Sequence, residues 1–292
     1  MVALLAACSS APQPMAAPPP SSTTRVARGT STSTLPSTTS TTVAPSTTRP
    51  RPTTTTTSEF AAPDWLGTRV LEIGPNGYGV SQPTPPELVN RRIATEDLLD
   101  PPKGDRFVGT VEPVPRSVAR RSTWKEGCPV PLEELRYLNV SFWGFDERFH
   151  TGELIVHESA AEEMVEVFRK LHEMRFPIEQ MRVESLSDLE RPPTGDGNET
   201  SSFVCRVATG STGWSMHAYG LAIDVNTFDN PYVKGDLVLP ELAGAYLDRE
   251  NVRPGMILPG DAVVDAFAAM GWEWGGEWNT LKDYMHFSSN GR

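Results

Sequence analysis

The chain has 292 residues and a formal net charge of −11, and its first 58 residues hold Arg25, Arg28, Arg49 and Arg51 but no acid, so the remainder is more acidic still. That balance argues against nucleic-acid binding, which leaves a basic footprint, and no stretch approaches the roughly 20 apolar residues that span a bilayer. Residues 9 to 58 are almost entirely Ser, Thr, Pro and Ala, so the globular part must lie beyond them, where enough chain remains for one ordinary domain with its own core.

At the N-terminus, Leu5-Ala6-Ala7-Cys8 looks like a bacterial lipobox, in which the Cys is lipidated and everything before it is removed. No basic segment precedes it, and Val2 to Ala7 is shorter than the ~7–15 residues of an apolar signal core; a start codon assigned too late accounts for both. Residues 1–8 are therefore read as a truncated lipoprotein signal with Cys8 as the lipidation site, against a free Cys8 in an ordinary N-terminus. Residues 9–58 read as a disordered spacer: Thr53 to Thr57 and the scattered prolines favour extended, solvated backbone. At ~3.1 Å per residue such a spacer reaches up to ~150 Å, and its Ser/Thr density suggests O-glycosylation.

Residues 59–127 read as an N-terminal extension wrapping the domain formed by the rest of the chain. Arg69 to Ile73 and Phe107 to Val111 are strand-like, Pro86 opens a short helix through Leu88 and Ile93, and Pro and Gly punctuate the remainder. From Cys128 onward the pattern becomes regular. Strands are predicted at Leu138 to Trp143, Glu153 to His157 and Ile178 to Glu184. Ser159-Ala160-Ala161-Glu162 reads as a capping box opening a helix to about Arg175, with Met164, Val165, Phe168 and Leu171 as its core face. Leu189 to Thr200 reads as a polar loop. Asp261 caps a second helix with Val263, Val264 and Phe267 buried and Gly271 beyond its end; Trp272 to Trp274 and Tyr284 to Ser288 read as a hairpin around Gly275-Gly276. Strands and helices do not alternate strictly, so the predicted class is α+β, a mainly antiparallel sheet with helices packed on it.

Two stretches carry chemistry. In Trp214 to Asn226, Leu221 to Val225 reads as a short buried strand, and Asp224 within it needs a partner, because an unpaired buried carboxylate costs several kcal/mol. A metal ion would serve, with His217 as a second ligand; a turn cap through Asn226 is the alternative. Asp283-Tyr284-Met285-His286-Phe287 adds a His and a further carboxylate. Two His and one Asp build a three-ligand zinc site with an open position, and Asp283 is then a base beside it. Extended backbone alternates faces, so a straight strand would point His217 and Asp224 oppositely, and Gly220 can supply the bend between them. By the same reasoning Asp283 belongs in the turn before its strand, with Met285 and Phe287 facing the core.

Ser215-x-His217-x-x-Gly220-x-Ala222-x-Asp224 followed by Asp283-x-x-His286-Phe287 resembles the signature of the zinc D-alanyl-D-alanine carboxypeptidases and L-alanyl-D-glutamate endopeptidases, the VanY-like group with the hedgehog/DD-peptidase fold. Phe203-Val204-Cys205-Arg206, Asn230-Pro231-Tyr232 and Trp274-Gly275-Gly276-x-Trp278 are similar to further landmarks of that family. The resemblance runs from about Cys128 to the C-terminus, so residues 128–292 are the expected peptidase domain.

The resemblance implies one Zn2+ per chain on His217, Asp224 and His286, with Asp283 as general base. It also implies Arg206 contacting substrate and steadying the oxyanion, and Ser215 contacting substrate. Trp274, with Trp214 and Trp278, is expected to wall the cleft or fill the core. For Arg206 a surface salt bridge, and for Asp283 a turn cap or support of His286, are the alternatives. His150, His157 and His172 fall outside the motif and are read as structural or exposed. The implied partner is a peptidoglycan stem peptide, cut as a carboxypeptidase or an endopeptidase would cut it; a catalytically silent zinc-containing cell-wall-binding module is the alternative. A monomer is expected, exported, and held to the membrane only through its lipid, with residues 9–58 as a tether. Cys128 and Cys205 are the cysteines left once Cys8 is assigned to lipid, and in an oxidising compartment they are expected to form a disulfide.

Overall fold

A computed structural model describes residues 59–208 and 212–291; Cys8 and the spacer at 9–58 lie outside the described residues. In chain order the elements are α1 (Pro86–Val89), β1 (Gly109–Pro113), α2 (Arg116–Arg121), β2 (Leu135–Gly144), β3 (Phe149–His157), α3 (Ala161–Glu173), β4 (Pro177–Ile178) and β5 (Gln180–Met181). Next come α4 (Leu186–Glu190), β6 (Glu199–Thr200), β7 (Ala222–Asp224), β8 (Tyr232–Lys234), β9 (Leu237–Leu239), α5 (Ala262–Ala268), β10 (Glu273–Trp274), β11 (Lys282–Asp283) and β12 (His286–Ser288). Among the described residues every pairing of three residues or more is antiparallel; β2 with β4 and β5 with β6 are short parallel pairs. The architecture is α+β, as expected.

β2 and β3 pair from Leu135↔His157 to Trp143↔Phe149. Their side chains alternate between two cores, as a period of two requires. Leu138, Val140, Phe142, Leu154 and Val156 meet the buried face of α3, where Met164, Phe168 and Leu171 recur at helical spacing. Leu135, Tyr137 and Ile155 join Val130, Val183 and Phe203 on the other side. The α3 core continues into α5 through Val263 and Phe267 and into the small sheet β10–β12–β7 through Trp274, Phe287 and Ile223.

Residues 59–127 supply parts of the same body. β1 adds an antiparallel strand to β2, and Leu71, Leu88 and Ile93 share a core with Phe228, Leu242 and Tyr246. Arg91, buried, grips both oxygens of Glu179 at 2.6 Å and donates to the Asp196 carbonyl at 2.7 Å. Each buried charge is thereby paired.

Several local expectations fail for identifiable reasons. Ser159 does not cap α3: its hydroxyl bonds to His157 Nδ1 at 2.8 Å, and the chain enters the helix through a 3-10 turn with no side-chain cap at Ala160. A capping box does form at Ser185 and Asp188, opening α4, whose end at Leu189 and Glu190 falls, like β6, within the stretch read as loop. Arg69 to Ile73 makes no strand beyond one bridge, Ile73 to Gly79, because the intervening turn bonds Gly74 to Tyr78. Ile178 to Glu184 is broken at Glu179, whose N–H donates to the Asn226 side chain rather than to a neighbouring strand. β10 and β12 do pair, but a 3-10 turn and β11 lie between them, so no tight hairpin forms at Gly275-Gly276.

Candidate metal centre

β7 and β12 pair antiparallel with Asp224 directly opposite His286, so the two side chains leave the same face of the sheet. His217 comes from a 3-10 turn, Met216–Tyr219, that Ser215 caps by accepting the His217 N–H at 3.3 Å. Gly220 supplies the bend: it has φ 68°, and a Cβ there would stand 2.5 Å from the His157 nitrogen. Only glycine meets both conditions at no cost.

Three ligand atoms converge. His217 Nε2 and His286 Nδ1 are 3.2 Å apart, and Asp224 Oδ1 lies 3.3 Å from the first and 3.0 Å from the second. Ligand atoms placed tetrahedrally about 2.0–2.1 Å from zinc stand about 3.3 Å apart, so the donor set fits that ion. The ring of His217 is fixed from behind, because its Nδ1–H donates to the Ser202 carbonyl at 2.6 Å. That bond selects the tautomer that leaves Nε2 free to ligate. Burial pushes the Asp224 carboxyl up, but His217 and His286 outweigh it and hold the group well below the usual carboxylate range.

Asp283 lies in β11, paired with Tyr232 of β8, and not in a turn as expected. The strand can lie so close because of Gly275, where a Cβ would be 2.6 Å from the Asp283 carbonyl; at Gly276 a Cβ would strike the Trp274 ring at 2.2 Å. Asp283 Oδ1 is shielded from solvent without a hydrogen-bond partner among the described residues. Burial, then the charge of Asp224, raise its pKa to about 7, against the opposing pull of His286 and Arg206.

Arg206 adjoins Cys205, which is bonded to Cys128 with the two Cα atoms 5.9 Å apart. Val207 pairs with Trp214 and Ser215 N–H donates to the Arg206 carbonyl, so Arg206 and Ser215 are held side by side at the wall of the ligand cleft. The Arg206 guanidinium makes no ion pair among the described residues and donates to the Val207 carbonyl at 3.3 Å. The cleft, about 480 Å³, is lined by these groups and by Trp214, Trp278, Tyr232 and Met285.

Of the two alternatives for Trp274, cleft wall or core, the side chain takes the core. It is buried in the core, parallel to Phe287, with its Nε1–H on the Tyr284 carbonyl at 2.8 Å. Met285 is buried, as expected, and also borders the cleft. His150 sits between Asp97 and Asp146, His172 stacks on Phe149, and His157 bonds Ser159, so all three serve the framework. The Ser202 carbonyl that orients His217 is invisible in the sequence, since a backbone acceptor has no residue signature. Tyr232 belongs to the Asn230-Pro231-Tyr232 landmark, but nothing in that run assigns its ring to the cleft.

Residues 209–289 match the family model described as D-alanyl-D-alanine carboxypeptidase. Comparison with curated proteins and with solved structures gives no match. The matched segment starts beyond Phe203 to Arg206 and contains all three ligands and Asp283. The chain thus carries a VanY-like zinc-peptidase domain of that family, with His217, Asp224 and His286 as its metal-binding triad.

Proposed function

We propose that the domain hydrolyses a peptide bond in peptidoglycan stem peptides, with Asp283 moving the proton and Arg206 stabilising the negative charge that develops. The observation that carries this reading is the convergence of three ligand atoms in a cleft also lined by Asp283, whose Oδ1 is shielded from solvent and has no hydrogen-bond partner among the described residues. Zinc, when bound, supplies Lewis-acid polarisation of the carbonyl and the water. Asp283 then takes the proton of the attacking water and returns it to the leaving amine. Beside a cation its pKa falls from the value set by burial and Asp224, so it begins as the carboxylate at neutral pH. Arg206, permanently charged and forked, faces the oxyanion or a terminal carboxylate. Ser215 keeps its O–H for substrate while its oxygen caps the turn of His217. A silent zinc-binding module would have no use for a desolvated carboxylate in this place.

Incubation of the purified protein with muropeptides, with zinc or with EDTA, followed by mass spectrometry, tests the reading. The mass lost names the bond and separates carboxypeptidase from endopeptidase action; intact muropeptides with the zinc-loaded protein would sink it. The N-terminal reading is part of the same proposal: Cys8 as lipid anchor, 9–58 as tether, 59–127 as a flank of the peptidase domain at 128–292. Protein exported behind a lipoprotein signal fused ahead of Leu5 should partition with membranes, and Cys8→Ala should release it.

A further inference from the structure

Trp278 is held at the metal ligands. Its backbone N–H bonds back to Gly275, closing the 3-10 turn Gly275–Glu277, and its ring centroid lies 5.5 Å from that of His286. The residue lines the cleft. Its indole Nε1 is shielded from solvent and has no hydrogen-bond partner among the described residues. Other indoles of this chain are satisfied: Trp124 donates to the Val130 carbonyl at 3.2 Å and Trp274 to the Tyr284 carbonyl at 2.8 Å. An indole N–H can only donate, and a buried donor left unmade is costly. An acceptor entering the cleft that Trp278 lines would satisfy it.

We infer that the Trp278 Nε1–H is a substrate-binding donor, bonding an oxygen of the peptide at the metal ligands: the attacked carbonyl or the carboxylate beside it. The inference rests on the peptidase reading and deepens it, because the wall residue becomes part of the recognition of the reacting group. The two alternatives for Trp278, an apolar wall and a packing residue, need only the ring. Replacement by Phe keeps an aromatic ring and removes the donor, so it separates them.

The test uses zinc-loaded protein labelled with 15N at its indoles, and phosphinate isosteres of D-alanyl-D-alanine and of L-alanyl-D-glutamate, whose tetrahedral oxygens stand in for the attacked carbonyl. The Trp278 indole resonance, assigned by its contacts to the His286 ring, should move downfield when the binding isostere is added. Trp278→Phe should retain zinc and weaken the isostere about 10–100-fold, the range of a hydrogen bond to a charged acceptor. A resonance that stays in place on saturation, or a folded Trp278→Phe protein binding within about twofold of wild type, would overturn the inference and leave the peptidase reading standing. If neither isostere binds the unsubstituted protein, the peptidase reading falls and the inference with it.

Discussion

β2 and β3 pair along their whole length and bury side chains on both faces, whereas the strands carrying the metal ligands pair over three residues at most. The long pair is stabilised by apolar area: Leu138, Phe142, Leu154 and Phe168 are all in one core. The short strands are instead held by side chains acting as backbone. Asn226, at φ 47°, donates to the Pro177 and Gly255 carbonyls and accepts from Glu179. Asn230 donates to Val225 and Gly255 and accepts from Ile257 and Arg249. Chemistry explains the division. Ligands must converge from separate elements around an open cleft, so those elements cannot be long ladders, and buried amides supply the missing bonds.

The sharpest break between the two regions is the removal of a ligand. Asp224→Ala should reduce zinc to near background in metal analysis and abolish hydrolysis, while the melting transition stays cooperative; His217→Ala should do the same. Full zinc occupancy in both would refute the ligand set. Asp283→Asn comes next: kcat falls ~10²–10⁴-fold if the carboxylate moves the proton, with zinc retained. Were Asp283 only a support of His286, zinc affinity would fall ~10–100-fold alongside activity, and titration with a competing chelator distinguishes the two.

Legibility in the sequence divides along the same line. His217, Asp224 and His286 could be read because they stand in a two-part motif that resembles a known family, and β2, β3 and α3 because their apolar periods match their buried faces. What could not be read depends on distant partners. Arg91 finds Glu179, and Glu179 in turn interrupts a predicted strand, although 88 residues separate them. Ser159 matches a capping box by spacing, yet His157 captures its hydroxyl. Trp274 and Trp278 look equivalent in the Trp274-Gly275-Gly276-x-Trp278 run. Pairing of Trp274 with Phe287 across β10 and β12 sends one inward, and the 3-10 turn carries the other to the cleft.

Stability measurements sharpen the comparison in the apolar region first. Phe168→Ala should cost about 3–5 kcal/mol, as expected for a fully buried aromatic, and leave kcat per bound zinc unchanged. Asn230→Ala should cost less, about 1–3 kcal/mol for the acceptors and donors it orphans, yet lower activity as well, because the loop it pins connects β7 to β8. Urea unfolding and turnover measured on the same samples check both. An Asn230→Ala protein with normal turnover would show that the amide serves stability alone.

The smallest expected effect concerns pH. In zinc-free protein Asp283 and Asp229 both titrate at about 7, raised chiefly by burial, with Asp224 adding to the first and Glu179 to the second. Unfolded, each returns to about 4. The folded state therefore holds protons that the unfolded state has released, and the stability they contribute is complete below about pH 4 and lost as pH rises through about 7. Asp283 is partly open to the cleft, so its share is on the order of 1 kcal/mol after solvent screening; Asp229, fully buried behind Asn198 and Arg91, has the larger share. A cation at the ligands favours the Asp283 carboxylate but leaves Asp229 nearly as it was. Chemical unfolding between pH 4 and 8 should show a falling stability in zinc-free protein and a shallower fall in zinc-free Asp283→Asn, where only Asp229 still contributes. If the unsubstituted zinc-free protein and Asp283→Asn gave the same slope, the Asp283 carboxyl would be ionised across the range, and its desolvation by the cleft would not be what poises it for proton transfer.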